Sequence, residues 1–185
     1  MSLHQIDHTL RSATDDLDVR RLVRQSFTIM ERGTLADFEA VVHPEAVNRE
    51  ARDEPVDCRG EGPAAFLATA RWLHSAFADL TWDVHEVVVD GDLGVAHVTM
   101  RGRQHGPFVV YGDDGLPREA FPSRGRTLAV QQTHWFRIAD GLVVEHWANR
   151  DDIGQAVQLG WLPPSPAFLV RMKRALRRAR RTTRR

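Results

Sequence analysis

QQTHWFRIADGLVVEHWANRDD, residues 131–152, places Asp140-Gly141 between two runs of alternating β-branched and aromatic residues. Asp-Gly tolerates the positive φ angles of a tight type I′ turn, so the stretch predicts a β-hairpin. With these two as the turn residues, Ala139 faces Leu142, His134 faces Trp147, Gln132 faces Asn149 and Val130 faces Asp151. Side chains alternate along a strand. One face then carries Val130, Gln132, His134, Phe136, Ile138, Val143, Glu145, Trp147, Asn149 and Asp151. The other carries Gln131, Thr133, Trp135, Arg137, Val144, His146, Ala148 and Arg150. A core face would be apolar throughout, and a solvent face would lack Phe, Ile and Trp. An apolar wall with a few convergent polar groups is what a small-molecule pocket requires. A one-residue bulge would exchange the faces beyond it.

Outside the hairpin, the chain reads as one domain with tails. At 185 residues it is long enough to bury a sizeable core. No apolar run approaches the roughly 20 residues a membrane helix needs. The N-terminal stretch lacks the basic start and apolar centre of a signal peptide. Cys58 is the only cysteine, which excludes an internal disulfide and a cysteine-based metal cluster. The expectation is a reduced, cytoplasmic protein. The net charge of zero conceals an asymmetry: residues 163–185 hold nine Arg or Lys and no acid, leaving 16 basic and 25 acidic residues elsewhere. A body of charge −9 does not favour nucleic acid as the main partner.

In chain order, residues 1–17 are polar and predict a loose arm. From Asp18, the stripe Val19, Leu22, Val23, Phe27 and Met30 predicts a helix that ends near Gly33. Thr34 and Asp37 form a capping-box pattern for a second helix, stopped by Pro44. Residues 45–62 are charged and turn-rich, with a short strand expected near Cys58. Pro63 suits the first position of a third helix, which carries Phe66, Ala70 and Leu73 inward. From Thr81 the period becomes two, giving strands around an Asp90-Gly91-Asp92 turn. FVVY (108–111) leads into a further strand, and Tyr111 to Arg126 is a long loop or an extra hairpin. Helices first and antiparallel strands after is the signature of an α+β fold, with helices on one side of a curved sheet.

Four stretches resemble the SnoaL-like polyketide cyclases, also termed ester cyclases, of the nuclear-transport-factor-2-like superfamily. They are AFADLTWDVHEVVVDGD (76–92), the Gly-x-x-His-Gly-x-Phe run Gly102–Phe108, Gly125-Arg126, and HWFRIADGLVVEHWANRDDIGQAVQLGWL (134–162). The likeness spans Asp18 to Leu162, so the domain is set at 18–162 and a basic, partly helical tail at 163–185. The chain departs from the pattern in an insertion, Val109–Ser123, near the expected pocket mouth. Ser-Arg-Gly-Arg also replaces Pro-Thr-Gly-Arg there. The resemblance implies a cone-shaped α+β barrel enclosing an apolar pocket, a homodimer, and chemistry without metal or organic cofactor. It implies a strand-end Asp as general base, matched by Asp151, assisted by His134.

Each candidate has a second reading. Asp151 is a base if Trp147 and Val130 desolvate it, or the cap of a helix starting at Asp152-Ile153. His134 stabilises an enolate, or is an ordinary satisfied strand residue. Gln132 and Asn149 donate to a substrate carbonyl, or pair with each other. Trp147 and Phe136 supply pocket wall, and His105 lines the mouth or sits in a plain loop. His146 points outward on this pairing. The nine His are scattered without paired ligand spacing, so no metal is expected. The function implied is aldol ring closure of a small carbonyl substrate. A hydrolase, isomerase or dehydratase on the same scaffold, or a non-catalytic binding module, remain the alternatives. The tail's Phe168, Leu169, Met172 and Leu176 share a helical face among arginines. That face suits an anionic membrane, nucleic acid or, the favoured reading, docking on the acidic body.

Overall fold

The structure, a computed structural model, describes residues 3–183, with side chains from Asp16 onward. Helix α1 (Leu3–Arg32) starts well before Asp18 and takes in most of the stretch expected as a loose arm. Met1 and Ser2 lie outside the described residues. The stripe Val19, Leu22, Val23 and Phe27 is buried, as helical spacing requires. Helix α2 (Leu35–Glu39) opens on the capping box: Thr34 N–H donates to Asp37 Oδ2 at 2.7 Å, and Asp37 N–H to Thr34 Oγ1 at 3.4 Å.

The next element corrects the sequence reading. Val42–Asn48 is a strand, β1, where a helix end and turn-rich loop were expected. It carries Pro44 and lies at the sheet edge, with an irregular register that spares the missing N–H and, besides β7, a single bridge from Val47 to Glu61. The strand expected near Cys58 is instead a short 3-10 turn, Val56–Arg59, which follows another at Arg49–Asp53. Helix α3 (Gly62–Ala76) starts at the Gly-Pro pair and buries Phe66, Leu67 and Ala70.

Strands β2 (Phe77–Asp90), β3 (Leu93–Gln104), β6 (Thr127–Ala139) and β7 (Leu142–Arg150) join β1 in one sheet, in the order β1-β7-β6-β3-β2. Every pairing is antiparallel except β1 with β7. Register shifts in β2, at Ala78/Thr81 and Val84/Glu86, mark the bulges that bend a sheet. The sheet curves without closing, with β1 and β2 as its edges, and forms the cone-shaped curved sheet that the resemblance implies. Helices α1 and α3 cover the concave face, and Val98, Met100, Val130, Phe136 and Val143 meet them from the strands.

The inserted segment forms a separate hairpin, β4 (Phe108–Tyr111) with β5 (Pro117–Phe121). Two short strands alone are marginal, and three things hold this pair. Trp72 Nε1–H donates to Val109 O at 3.0 Å. Trp161 stacks on Phe121 at 4.5 Å. Helix α5 (Pro166–Thr183) lies along β5, buries Phe168, and donates from Arg171 to Ser123 O and from Arg180 to Pro117 O, each at 2.9 Å. No described helix is long and apolar enough to cross a membrane.

Gly94 in β3 is a point where α1 packs tightly on the sheet. A Cβ there would lie 2.5 Å from Val23 Cγ2 and 3.2 Å from Val19 Cγ1. Gly94→Val is expected to lower the unfolding free energy by roughly 1–3 kcal/mol through overpacking. Urea unfolding should show it, with part of the loss recovered in a Gly94→Val/Val23→Ala double variant. Two additive losses would mean that this contact does not limit the packing.

Candidate functional site

Between the concave face, α1, α3 and the inserted hairpin lies a cavity of about 440 Å³. Phe27, Phe66, Trp82, Phe108, Phe136 and Trp161 contribute most of its aromatic wall. Gln132, His134, His146 and Asn48 bring polar groups to one side, and Glu54, Thr69 and Arg150 to another part of the lining.

The first group forms a line of close polar contacts along the wall. Trp82 Nε1–H donates to Gln132 Oε1 at 3.3 Å, and His134 Nε2 lies 2.9 Å from the same oxygen. At the far end, Asn48 Oδ1 accepts the Glu50 backbone N–H at 3.2 Å and lies 2.9 Å from His146 Nδ1. Both end oxygens are acceptors, so His134 Nε2–H and His146 Nδ1–H are the donors. That leaves His134 Nδ1 and His146 Nε2 facing each other at 2.9 Å, with a lone pair on each when the rings are neutral. The pair is one proton short of a complete chain. Burial pushes the His134 pKa well down, with His146 and Arg150 adding to it. Burial and then Arg150 take His146 down to about 3. The rings are therefore neutral near pH 7.

Glu54 is the second feature. It is 2% exposed, and its Oε2 accepts Thr69 Oγ1–H at 2.5 Å. Burial raises its pKa to about 7, although the Thr69 hydrogen bond, the Arg150 charge and a Cys58 hydrogen bond all pull the other way. Its backbone carbonyl accepts two bonds from Arg59, from Nε at 2.9 Å and Nη2 at 2.8 Å. Arg59 Nη2 also donates to Gly112 O at 2.8 Å, which ties the inserted hairpin to the Glu54 turn. The Cys58 thiol, pushed up to about 12 chiefly by burial, is not a nucleophile. Among the described residues, no group of three or more His, Cys, Asp or Glu is arranged to hold a metal ion.

Gln132, His134 and Phe136 line the cavity, as hairpin parity predicts. On β7 the prediction fails. Asp140 (φ 50°) and Gly141 (φ 74°) form the turn, and Ile138 pairs with Val143. The register then slips: Arg137 pairs with Glu145, Phe136 with His146, and His134 with Ala148. Val144 is the extra residue, and it exchanges every side chain beyond it between faces. His146, Ala148 and Arg150 therefore line the cavity, whereas Trp147 and Asn149 lie on the outer face. Trp147 stacks on Trp135 there, with centroids 5.9 Å apart, under the Arg49 guanidinium. Asp151 is exposed and caps helix α4 (Asp152–Gln158), accepting Gly154 N–H at 2.8 Å. The capping role, and not desolvation, describes its surroundings. His105 is exposed outside the cavity, its Nε2 3.0 Å from His74 O.

Asn48, Glu54 and Arg150 escaped the sequence reading. Asn48 and Glu54 lie in the segment taken as charged loop, with no hydrophobic period to mark their direction. Arg150 and His146 were placed outward by the unbulged pairing. Glu54 stands two residues after Arg52, five before Arg59 and next to Pro55, an ordinary surface pattern from which only burial distinguishes it.

Two outcomes follow. Asp151→Ala should lower stability by about 1 kcal/mol, the value of an N-cap, in chemical denaturation, and leave turnover intact; a loss of turnover at unchanged stability would restore Asp151 as a base. Glu54 has a folded pKa above its unfolded value of 4.5. Its stabilising contribution is complete below pH 4.5 and is lost as pH rises through about 7. Glu54→Gln removes that loss, so its stability relative to wild type should climb by about 3 kcal/mol between pH 5 and 9 in urea titrations. A pH-independent difference would contradict the burial argument.

Residues 19–159 match the sequence profile of a family described as SnoaL-like polyketide cyclase. Aklanonic acid methyl ester cyclase DnrD of Streptomyces peucetius is 30% identical over 149 residues, spanning 78% of this chain and 92% of the relative. Aklanonic acid methyl ester cyclase DauD of Streptomyces sp. strain C5 is 28% identical over 151 residues, spanning 78% and 83%. TsrD from Streptomyces laurentii has a similar structure, with a TM-score of 0.63 at 30% identity over 79% of this chain and 97% of that one. IdmH from Streptomyces antibioticus shares the fold, with a TM-score of 0.57 at 21% identity over 77% and 98%. With most of its length in that profile, this chain belongs to the SnoaL-like polyketide cyclase family.

Proposed function

We propose that the protein closes a ring in a small polyketide-like carbonyl substrate by intramolecular aldol addition, using only its own acid and base groups. One observation carries the reading: a largely apolar cavity with the Gln132–His134–His146–Asn48 line of polar contacts along its wall. An aldol closure needs an α-proton removed, an oxyanion stabilised and water kept out. Gln132 Oε1 is held by Trp82 and His134, which fixes the amide. Its Nε2 donates only to the thioether of Met100, at 3.3 Å. Sulfur is a weak acceptor, so a substrate carbonyl is the better partner for that amide. The neutral His134 orients Gln132 and does not compete for the α-proton, because burial has depressed its basicity.

The base removes the proton, and the C–H pair passes to the carbonyl oxygen as an enolate. The enolate carbon attacks a second carbonyl of the same molecule, and the new alkoxide takes a proton. Substrate and product are isomers. The names of the relatives point to aklanonic acid methyl ester as the first compound to try. The expected outcome is a product of unchanged mass and new retention time in liquid chromatography with mass detection. Gln132→Leu should lower kcat/KM by roughly 10²–10³-fold, as loss of an oxyanion donor does. Hydrolysis or dehydration products, or binding without conversion, would replace this reading with the hydrolase, dehydratase or carrier alternatives.

A further inference from the structure

Resting on that cyclase reading, we propose that Glu54 takes the α-proton and returns it to the new alkoxide. The other acids in the cavity lining are ion-paired or exposed. Glu50 pairs with Arg150 at 3.1 Å and accepts the Ala148 N–H at 3.1 Å. Asp53 is exposed and faces Arg118 at 3.7 Å, Asp152 is exposed and 3.8 Å from Arg150, and Glu119 is exposed. Glu54 alone among them is buried.

Its geometry suits a base. Thr69 from α3 fixes Oε2, and Arg59 clamps the backbone carbonyl. A carboxylate offers about four lone-pair sites, so these contacts leave capacity for a substrate proton. The charges facing it are Arg150 from β7 and Glu50 from the preceding turn, of opposite sign. A base works best when its proton affinity lies near the working pH. Glu54 at about 7 meets that condition, whereas His146 at about 3 does not. In the step, the Glu54 carboxylate gains the α-proton and the C–H pair becomes the enolate. After the C–C bond forms, the Glu54 carboxyl protonates the alkoxide, and no other reactant is consumed.

The test uses the full-length protein with aklanonic acid methyl ester. Wild-type kcat should fall tenfold per pH unit below a limb near pH 7. Glu54→Gln should lose roughly 10²–10⁴ in kcat, with KM changed by less than about threefold and the limb abolished. Glu54→Asp should keep the limb at reduced kcat. A ¹³C-labelled glutamate spectrum should show one carboxyl titrating near pH 7 that moves when the ester is added and is missing in Glu54→Gln. An active wild type with an equally active Glu54→Gln overturns Glu54 as the base and leaves the cyclase reading standing. No conversion by wild type, under conditions where the ester binds, overturns both. A Glu54 carboxyl that titrates in the ordinary range, or ignores the bound ester, overturns the Glu54 assignment by itself.

Discussion

The extra residue at Val144 in β7 is the constraint on which the site depends. Strand side chains alternate with a period of two, so one unpaired residue exchanges everything that follows it. Without it, Trp147 and Asn149 would fill the concave face and His146 would lie outside. With it, His146 comes within 2.9 Å of His134, and Arg150 turns toward Glu50 and lies close enough to act on Glu54. The same exchange sends Trp147 to the outer face, where it stacks on Trp135. A single bulge thus decides which polar side chains face the cavity and lines up the two imidazoles.

That imidazole pair sits in surroundings that resist charge. Both rings are neutral because burial and Arg150 oppose the proton that their facing nitrogens would share. Glu54 experiences the same burial with the opposite sign, since a carboxyl is charged when it loses its proton. One environment therefore produces weak bases in the imidazoles and a stronger one in the carboxyl. Opposite shifts of this kind divide labour among titratable groups. They also reduce stability, as strained or desolvated sites generally do.

The inserted hairpin and the basic tail support the same cavity from outside. Phe121 and Val110 of the insert line it, and Arg59 binds both the insert and the Glu54 turn. Helix α5 clamps β5 through Phe168, Arg171 and Arg180. The arginines serve partly as packing and hydrogen-bonding groups, since long basic side chains bury their stems and keep their charges wet. Arg171 and Arg180 thus serve the insert through its backbone carbonyls.

Local pattern alone was enough for the α+β class, helix α3, the β2–β3 and β6–β7 hairpins and the cavity-facing Gln132, His134 and Phe136. Those features rest on short-range physics: helical stripes, period-two alternation, and Asp-Gly or Gly-Pro at turns. Strand β1 was not legible, because Pro44 and the interrupted register hide an edge strand whose partner, β7, lies about a hundred residues away. The bulge was not legible either, since nothing in LVVEHW says which residue goes unpaired. Burial of Glu54 depends on α3, the insert and β7 meeting around one turn. Desolvation and proton affinity are properties of that meeting, so tertiary structure decided them.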